Sequence, residues 1–324
     1  METAGFLPIL ALALLFDAVV GDPRALYARV PHPAVMLGWC VGVLDRGFNQ
    51  PVLPGTFRLF LGAGAMVILL LGAWLIGVWI TDIVLGFPYG WVLLALIMST
   101  LLAQKSLYQH VAAVGAALSA SGLEGGRDTV AQIVGRDTNT MDEAGVCRAA
   151  IESLSENLSD GIVAPVFWGV LFGLPGMLAY KMLNTADSMI GHRTEKYEEF
   201  GWTAAKLDDI ANFIPARLTA LLIAVAALPV SAGAMILGLK AVFRDARKHI
   251  SFNAGYPEAA MAGALDLRLA GPRIYDGVEQ GGAWMGDGRE EATPQDIEAA
   301  LRIYISALLL QALLLAGVFV WVNS

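Results

Sequence analysis

The sequence predicts an all-α, polytopic integral membrane protein, and three observations carry that prediction. Hydrophobic residues make up 56% of the 324-residue chain. Charged residues supply only 15%, against about 25% in soluble domains. Apolar segments recur from Leu7 to Val322 with no long polar linker between them, and the mean hydropathy is +0.61. We therefore expect one membrane-embedded domain over residues 1–324, with polar helical loops at about 103–161, 181–217 and 240–302.

About 20 apolar residues are needed to cross some 30 Å of hydrocarbon. Residues 59–80, 84–102, 218–239 and 303–322 approach that length, and residues 7–20 fall short of it. The N-terminal segment lacks a basic n-region and is followed by Gly21-Asp22-Pro23, so it is expected to stay on the protein. Asp17 lies late in this segment and needs a partner or water if buried. A sixth stretch, residues 162–180, contains Pro165, Gly169, Gly173, Pro175 and Gly176, which suits a broken or re-entrant helix as well as a straight span.

The positive-inside rule puts the loop with Arg24, Arg29, Arg46 and Arg58 in the cytoplasm, together with the loop holding Lys105, Arg127, Arg136 and Arg148. The next two polar regions are also basic, so simple alternation fails. Either one basic loop is outside, or residues 162–180 and 218–239 both dip in and return, a bend that Pro229 and Gly233 favour.

A net charge of -8 gives no broad positive field for a nucleic-acid backbone. Cys40 and Cys147 are far apart and form neither a disulfide framework nor a zinc motif; the four histidines are scattered, and there is no P-loop. Hard oxygen donors are more prominent. Thr138 or Asn139 is placed to cap a helix whose first turn carries Asp142 and Glu143. Along it Arg148, Glu152, Glu156 and Asp160 recur every four residues, a column that suits a divalent cation and a solvated charged face equally. Further on, Lys181, Asn184, Asp187 and Ser188 share one side of a helix that runs to His192. Asp208 and Asp209 precede Asn212 and Arg217, again pairing acids that suit Mg²⁺ with a guanidinium that suits phosphate or carboxylate. Arg217 serves equally as an interfacial anchor. Ser251, Asn253 and Glu258 lie in a turn after Arg244, Arg247 and Lys248 that could close over an anion.

Several of these strings, in order, resemble the CobD/CbiB family of adenosylcobinamide-phosphate synthases: FDAVVGDPR with HP, VGRDT, ESLSENLSDGIVAP, KMLNTADSMIGH, KLDDIANFIPAR preceded by FG, and SFNAGYPEAAMAGAL. The likeness runs from about Asp17 to Tyr275. It implies ATP-dependent amide formation between adenosylcobyric acid and (R)-1-aminopropan-2-ol O-phosphate, or a related amino alcohol, in the cytoplasmic membrane with the site facing the cytoplasm. ATP would be a co-substrate and Mg²⁺ a cofactor. Expected catalytic residues are Glu156, Lys181 and Asp187, with Glu156 as general base. Arg136, Asn157, Asn184, Ser188, His192, Arg217, Ser251 and Asn253 are expected to bind substrate or phosphate. Glu152, Asp160, Asp187, Asp208 and Asp209 are the expected metal ligands. A homo-oligomer, or association with other membrane enzymes of the pathway, is a further expectation. Two other classes fit parts of the sequence: a Mg²⁺-dependent prenyl or phospho-alcohol transferase, and a corrinoid transporter.

Overall fold

A computed structural model describes residues 5–275 and 278–324. It is all-α apart from two small hairpins. In chain order the helices are α1 (Leu7–Val19), α2 (Arg24–Tyr27), α3 (Pro33–Phe48), α4 (Gly55–Leu85), α5 (Gly90–Ser99), α6 (Gln104–Val130) and α7 (Glu143–Leu158). A π-helical turn, Ser159–Val163, leads into α8 (Ala164–Ile190), followed by α9 (Trp202–Ala211), α10 (Phe213–Ala226), α11 (Ala232–Asp245), α12 (Gly255–Leu265) and α13 (Pro294–Asn323). Strands β1 (Leu269–Ala270) and β4 (Trp284–Met285) pair antiparallel, as do β2 (Arg273–Tyr275) and β3 (Val278–Gln280).

By packing, the chain falls into two compact units: residues 1–103, 164–212 and 315–324, and residues 104–163 and 213–314. Among the described residues, four helical stretches can cross a membrane by length and composition, Gly55–Leu85, Gly90–Val130, Glu143–Ile190 and Pro294–Asn323, or five if α9 and α10 count as one bent span. The segments 59–80 and 303–322 thus become whole helices. The segment 84–102 does not, because α4 ends at Leu85 and a turn with Tyr89 at φ 60° intervenes before α5. At 13 residues, α1 is about 20 Å long and too short to cross alone.

In the first unit, α8 packs against α3, α4 and α9. Gly173 breaks α8 at φ 63°, a conformation glycine adopts without a Cβ penalty, and Pro175 follows, so the broken helix expected over 162–180 is present. At the start of α3, His32 accepts the Ala34 amide on Nδ1 at 3.1 Å and Pro33 opens the first turn. Asp17, near the end of α1, is buried.

In the second unit, α6, α7, α10, α11, α12 and α13 enclose a core that includes Val114, Leu154, Ile223, Met261 and Tyr304. The segment 218–239 is two helices, not one span: α10 and α11 pack on each other around Ala227–Ser231, and the Ser231 hydroxyl caps α11 by accepting the Ala234 amide at 2.9 Å. The stretch around residues 251–265 is likewise no open loop, since α12 is buried from Pro257 to Ala264 through its small residues.

Asp245, 3% exposed, ties the end of α11 to the turn after β4. It accepts hydrogen bonds from Arg244 at 2.6 Å, Lys248 at 2.9 Å and the Gly286 amide at 3.0 Å, while Arg244 also reaches Asp287. Burial alone would raise the Asp245 carboxyl, but these hydrogen bonds outweigh it and hold the group below the usual carboxylate range. The segment 286–294, which reads as an exposed turn, is therefore pinned at Gly286 and again by the Arg289–Asp296 pair.

Candidate active site

In the second unit α7 supplies the central acids. Its cap is Asp142, which accepts the Gly145 amide at 2.7 Å, rather than Thr138 or Asn139. Asp137 instead binds the backbone and side-chain nitrogens of Asn139 at 2.9 Å in a local turn, which removes Asn139 from the capping position. Arg148 does not offset the acidic column: its guanidinium bonds the Glu290 carbonyl and lies 5.7 Å from the Trp284 ring centroid. That task falls to Arg136, whose Nη2 donates to Glu152 Oε2 at 2.7 Å with both side chains almost fully buried. Glu152 Oε1 accepts the Ala270 amide at 2.8 Å. With both oxygens accepting from protein donors, Glu152 anchors Arg136 and β1. Asp160 falls within the π-helical turn, whose wider repeat takes it out of the four-residue register.

Arg136, Glu152, Ser153, Glu156, Asn157 and Glu258 share a cavity of about 130 Å³. Whole small-molecule sites run to roughly 300–1,000 Å³, so this one fits a reacting group rather than a corrinoid. Ser153 donates to the Ile133 carbonyl at 3.0 Å, and Asn157 donates to the Ser153 carbonyl at 2.9 Å, which fixes the wall. Glu258 is 1% exposed and lies 3.6 Å from His249 Nε2. Read from the sequence as part of a turn, Glu258 joins Glu156 only because α12 packs on α7. Arg217 and Asn253 also meet, with Nη1 donating to Oδ1 at 3.1 Å. Ser251 turns inward on its own backbone, its hydroxyl accepting the Ala254 amide at 3.2 Å.

In the first unit α8 and α9 bring a second polar group together. Asn212 donates to the Asp208 carboxylate at 2.8 Å, and the Asn184 side chain lies close to the same carboxylate. Tyr180 donates to the Asn212 amide oxygen at 2.8 Å and orients it. Asp187 lies near enough to interact electrostatically with Asp208 and His192. Gly191 beside it leaves no room for a side chain, since a Cβ there would lie 2.7 Å from the Asp187 backbone carbonyl oxygen. Asp208 Oδ1 is buried without a hydrogen-bond partner. Asp209 pairs with Lys206 at 3.2 Å, while Ser188 and His192 bond backbone carbonyls of their own helix. Lys181 is half-buried a turn before Asn184.

Among the described residues no three His, Cys, Asp or Glu side chains converge as a preformed metal site. The donor set of Asp187, Asp208 and Asn184 nevertheless fits Mg²⁺, which takes one or two carboxylates and fills its shell with water and phosphate oxygens. The orphaned Asp208 oxygen points the same way.

The fold and these two clusters define a multi-pass α-helical membrane protein whose internal polar groups suit charged, oxygen-rich ligands. The chain belongs to the CobD/CbiB family: the family description "CobD/Cbib protein" matches residues 10–304. It is 53% identical over 308 residues to a cobalamin biosynthesis protein CobD of Sinorhizobium sp, covering 92% of this chain and 94% of the relative. Proteins of the same name from Rhizobium meliloti and Rhodobacter capsulatus are 50% and 43% identical, each over 94% of both chains. No solved structure matches the chain.

Proposed function

We propose that this protein acts in cobalamin biosynthesis as an adenosylcobinamide-phosphate synthase. It joins the propionate carboxylate of adenosylcobyric acid to the amine of (R)-1-aminopropan-2-ol O-phosphate, or of a related amino alcohol, at the expense of ATP. One observation carries the reading: three strings that resemble the synthase family and lie far apart in the sequence, around Arg136, Glu156 and Glu258, line a single cavity. The names of the relatives support the pathway.

Carboxylate and ammonium do not condense in water, so the carboxylate is activated by phosphoryl transfer and the amine displaces phosphate. Glu156 stands at the cavity wall, is exposed, and serves as the general base that takes a proton from the attacking amine. Arg136, held by Glu152, faces the developing oxyanion. Asp187, Asp208 and Asn184 would hold Mg²⁺, which when bound neutralises phosphate charge. Lys181 and Arg217 bind anionic groups of the substrates. Because ATP is cytoplasmic, the site opens to the cytoplasmic side of the cell membrane, in keeping with the Lys105 to Arg148 basic segment.

The test is mass spectrometry of the corrinoid after purified protein is incubated with adenosylcobyric acid, the amino-alcohol phosphate and Mg-ATP. A product heavier by the amino-alcohol phosphate less water is expected, and Glu156→Gln should lower its rate about 100-fold. Unchanged corrinoid with folded protein would overturn the proposal.

A further inference from the structure

Arg217 sits in a clamp of aromatic rings near the start of α10. Its guanidinium carbon is 3.6 Å from the ring centroid of Phe213, 3.9 Å from that of Tyr256 and 5.4 Å from that of Phe252. Phe213 and Phe252 stack on each other at 5.8 Å. Both protein hydrogen bonds of the guanidinium leave from Nη1, to the Phe213 carbonyl at 2.7 Å and to Asn253 Oδ1 at 3.1 Å. Arg136, Arg244 and Arg289 each have a carboxylate partner, but among the described residues none lies within ion-pair distance of Arg217.

Rings hold a guanidinium in one orientation and strip part of its water without cancelling its charge. Among the described residues, the Nε and Nη2 N–H groups of this held cation have no protein acceptor. That fork matches two oxygens of a phosphate ester. Phe213 and Phe252 are 44% and 55% exposed, so a ligand can reach the clamp.

We propose that Arg217, positioned by Phe213, Phe252, Tyr256 and Asn253, is a phosphate-ester recognition site. The ester is either a soluble phosphorylated substrate or a lipid headgroup. The inference rests on the synthase reading only for the identity of a soluble ester. Its test therefore measures binding without ATP or corrinoid, and an inactive synthase would not bear on it.

Full-length protein in detergent would be titrated with radiolabelled O-phosphoethanolamine, with ethanolamine as the control, and co-purifying phospholipid counted in the same samples. Arg217→Lys keeps the charge and loses the fork; Phe252→Leu loses a ring; Tyr256→Phe keeps the ring. Binding of O-phosphoethanolamine is expected to weaken about 10-fold or more in the first two variants and to persist in the third. Ethanolamine binding should not change. Weakened ester binding with phospholipid content unchanged supports a soluble ester. Loss of phospholipid with ester affinity unchanged supports the same site acting on a headgroup. If the wild-type protein binds no ester and retains no phospholipid, or folded Arg217→Lys and Phe252→Leu proteins match it in both, the proposal is wrong.

Discussion

The two polar clusters balance their charges in opposite ways. In the second unit the buried acid Glu152 has a guanidinium partner, whereas the Arg217 cation has no carboxylate within ion-pair distance among the described residues. In the first unit Asp208 accepts from the Asn212 amide, Asp187 lies beside it, and among the described residues neither acid has a Lys or Arg within ion-pair distance. Arg217 is thus placed to take an anion and Asp208 to take a cation. A desolvated charge kept without a partner costs stability, so each unbalanced group marks where a ligand would supply the missing charge.

The comparison breaks most severely at Glu152. Glu152→Gln strands Arg136 in a buried site and should cost about 3–5 kcal/mol, read as loss of folded protein in a detergent melt. A small effect would mean that the pair is solvated. Asp208→Asn tests the other side of the contrast, since turnover should fall about 100-fold while thermal stability holds or rises. A variant both inactive and strongly destabilised would make Asp208 structural.

Asp245 sharpens the contrast as a fully compensated acid. Asp245→Asn should cost about 1.5–3 kcal/mol near neutral pH through its lost charge-assisted hydrogen bonds. Its folded carboxyl titrates below the unfolded value of about 3.9. Its contribution is thus complete above that pH and lost as pH falls through the folded value. Wild-type and variant melting curves should converge below about pH 4. The smallest effect is expected at Lys196, which is 56% exposed where it bonds Asp45 at 2.9 Å. Lys196→Ala should change stability by less than about 1 kcal/mol, and by less still in high salt.

The sequence made the uniformly apolar helices legible, because segments 59–80 and 303–322 needed only composition and length. Segment 218–239 was harder. Its hydropathy runs on through Ala227–Ser231, whereas the break depends on α10 folding back on α11. The small residues of α12 carry no helical stripe, so only the structure reveals that they are core. The candidate site was legible as residue types more than as groupings: Arg217 follows Asp208 and Asn212 in sequence, but in the fold it meets Asn253 while Asp208 lies with Asn184 and Asp187. Pairings across long sequence separations were not legible. Spacing suggests Arg148 as the partner of Glu152, but the fold brings Arg136. Phe213, Phe252 and Tyr256 carried no signal beyond apolar residues near a span end until the fold stacked them around Arg217.

The most direct test of the contrast is Mn²⁺ binding, as a surrogate for Mg²⁺, followed by electron paramagnetic resonance on purified wild-type and Asp208→Asn protein. The account predicts a bound Mn²⁺ population in the wild type that the variant loses, with Glu258→Gln unaffected. Equal Mn²⁺ binding by wild-type and Asp208→Asn protein would contradict it.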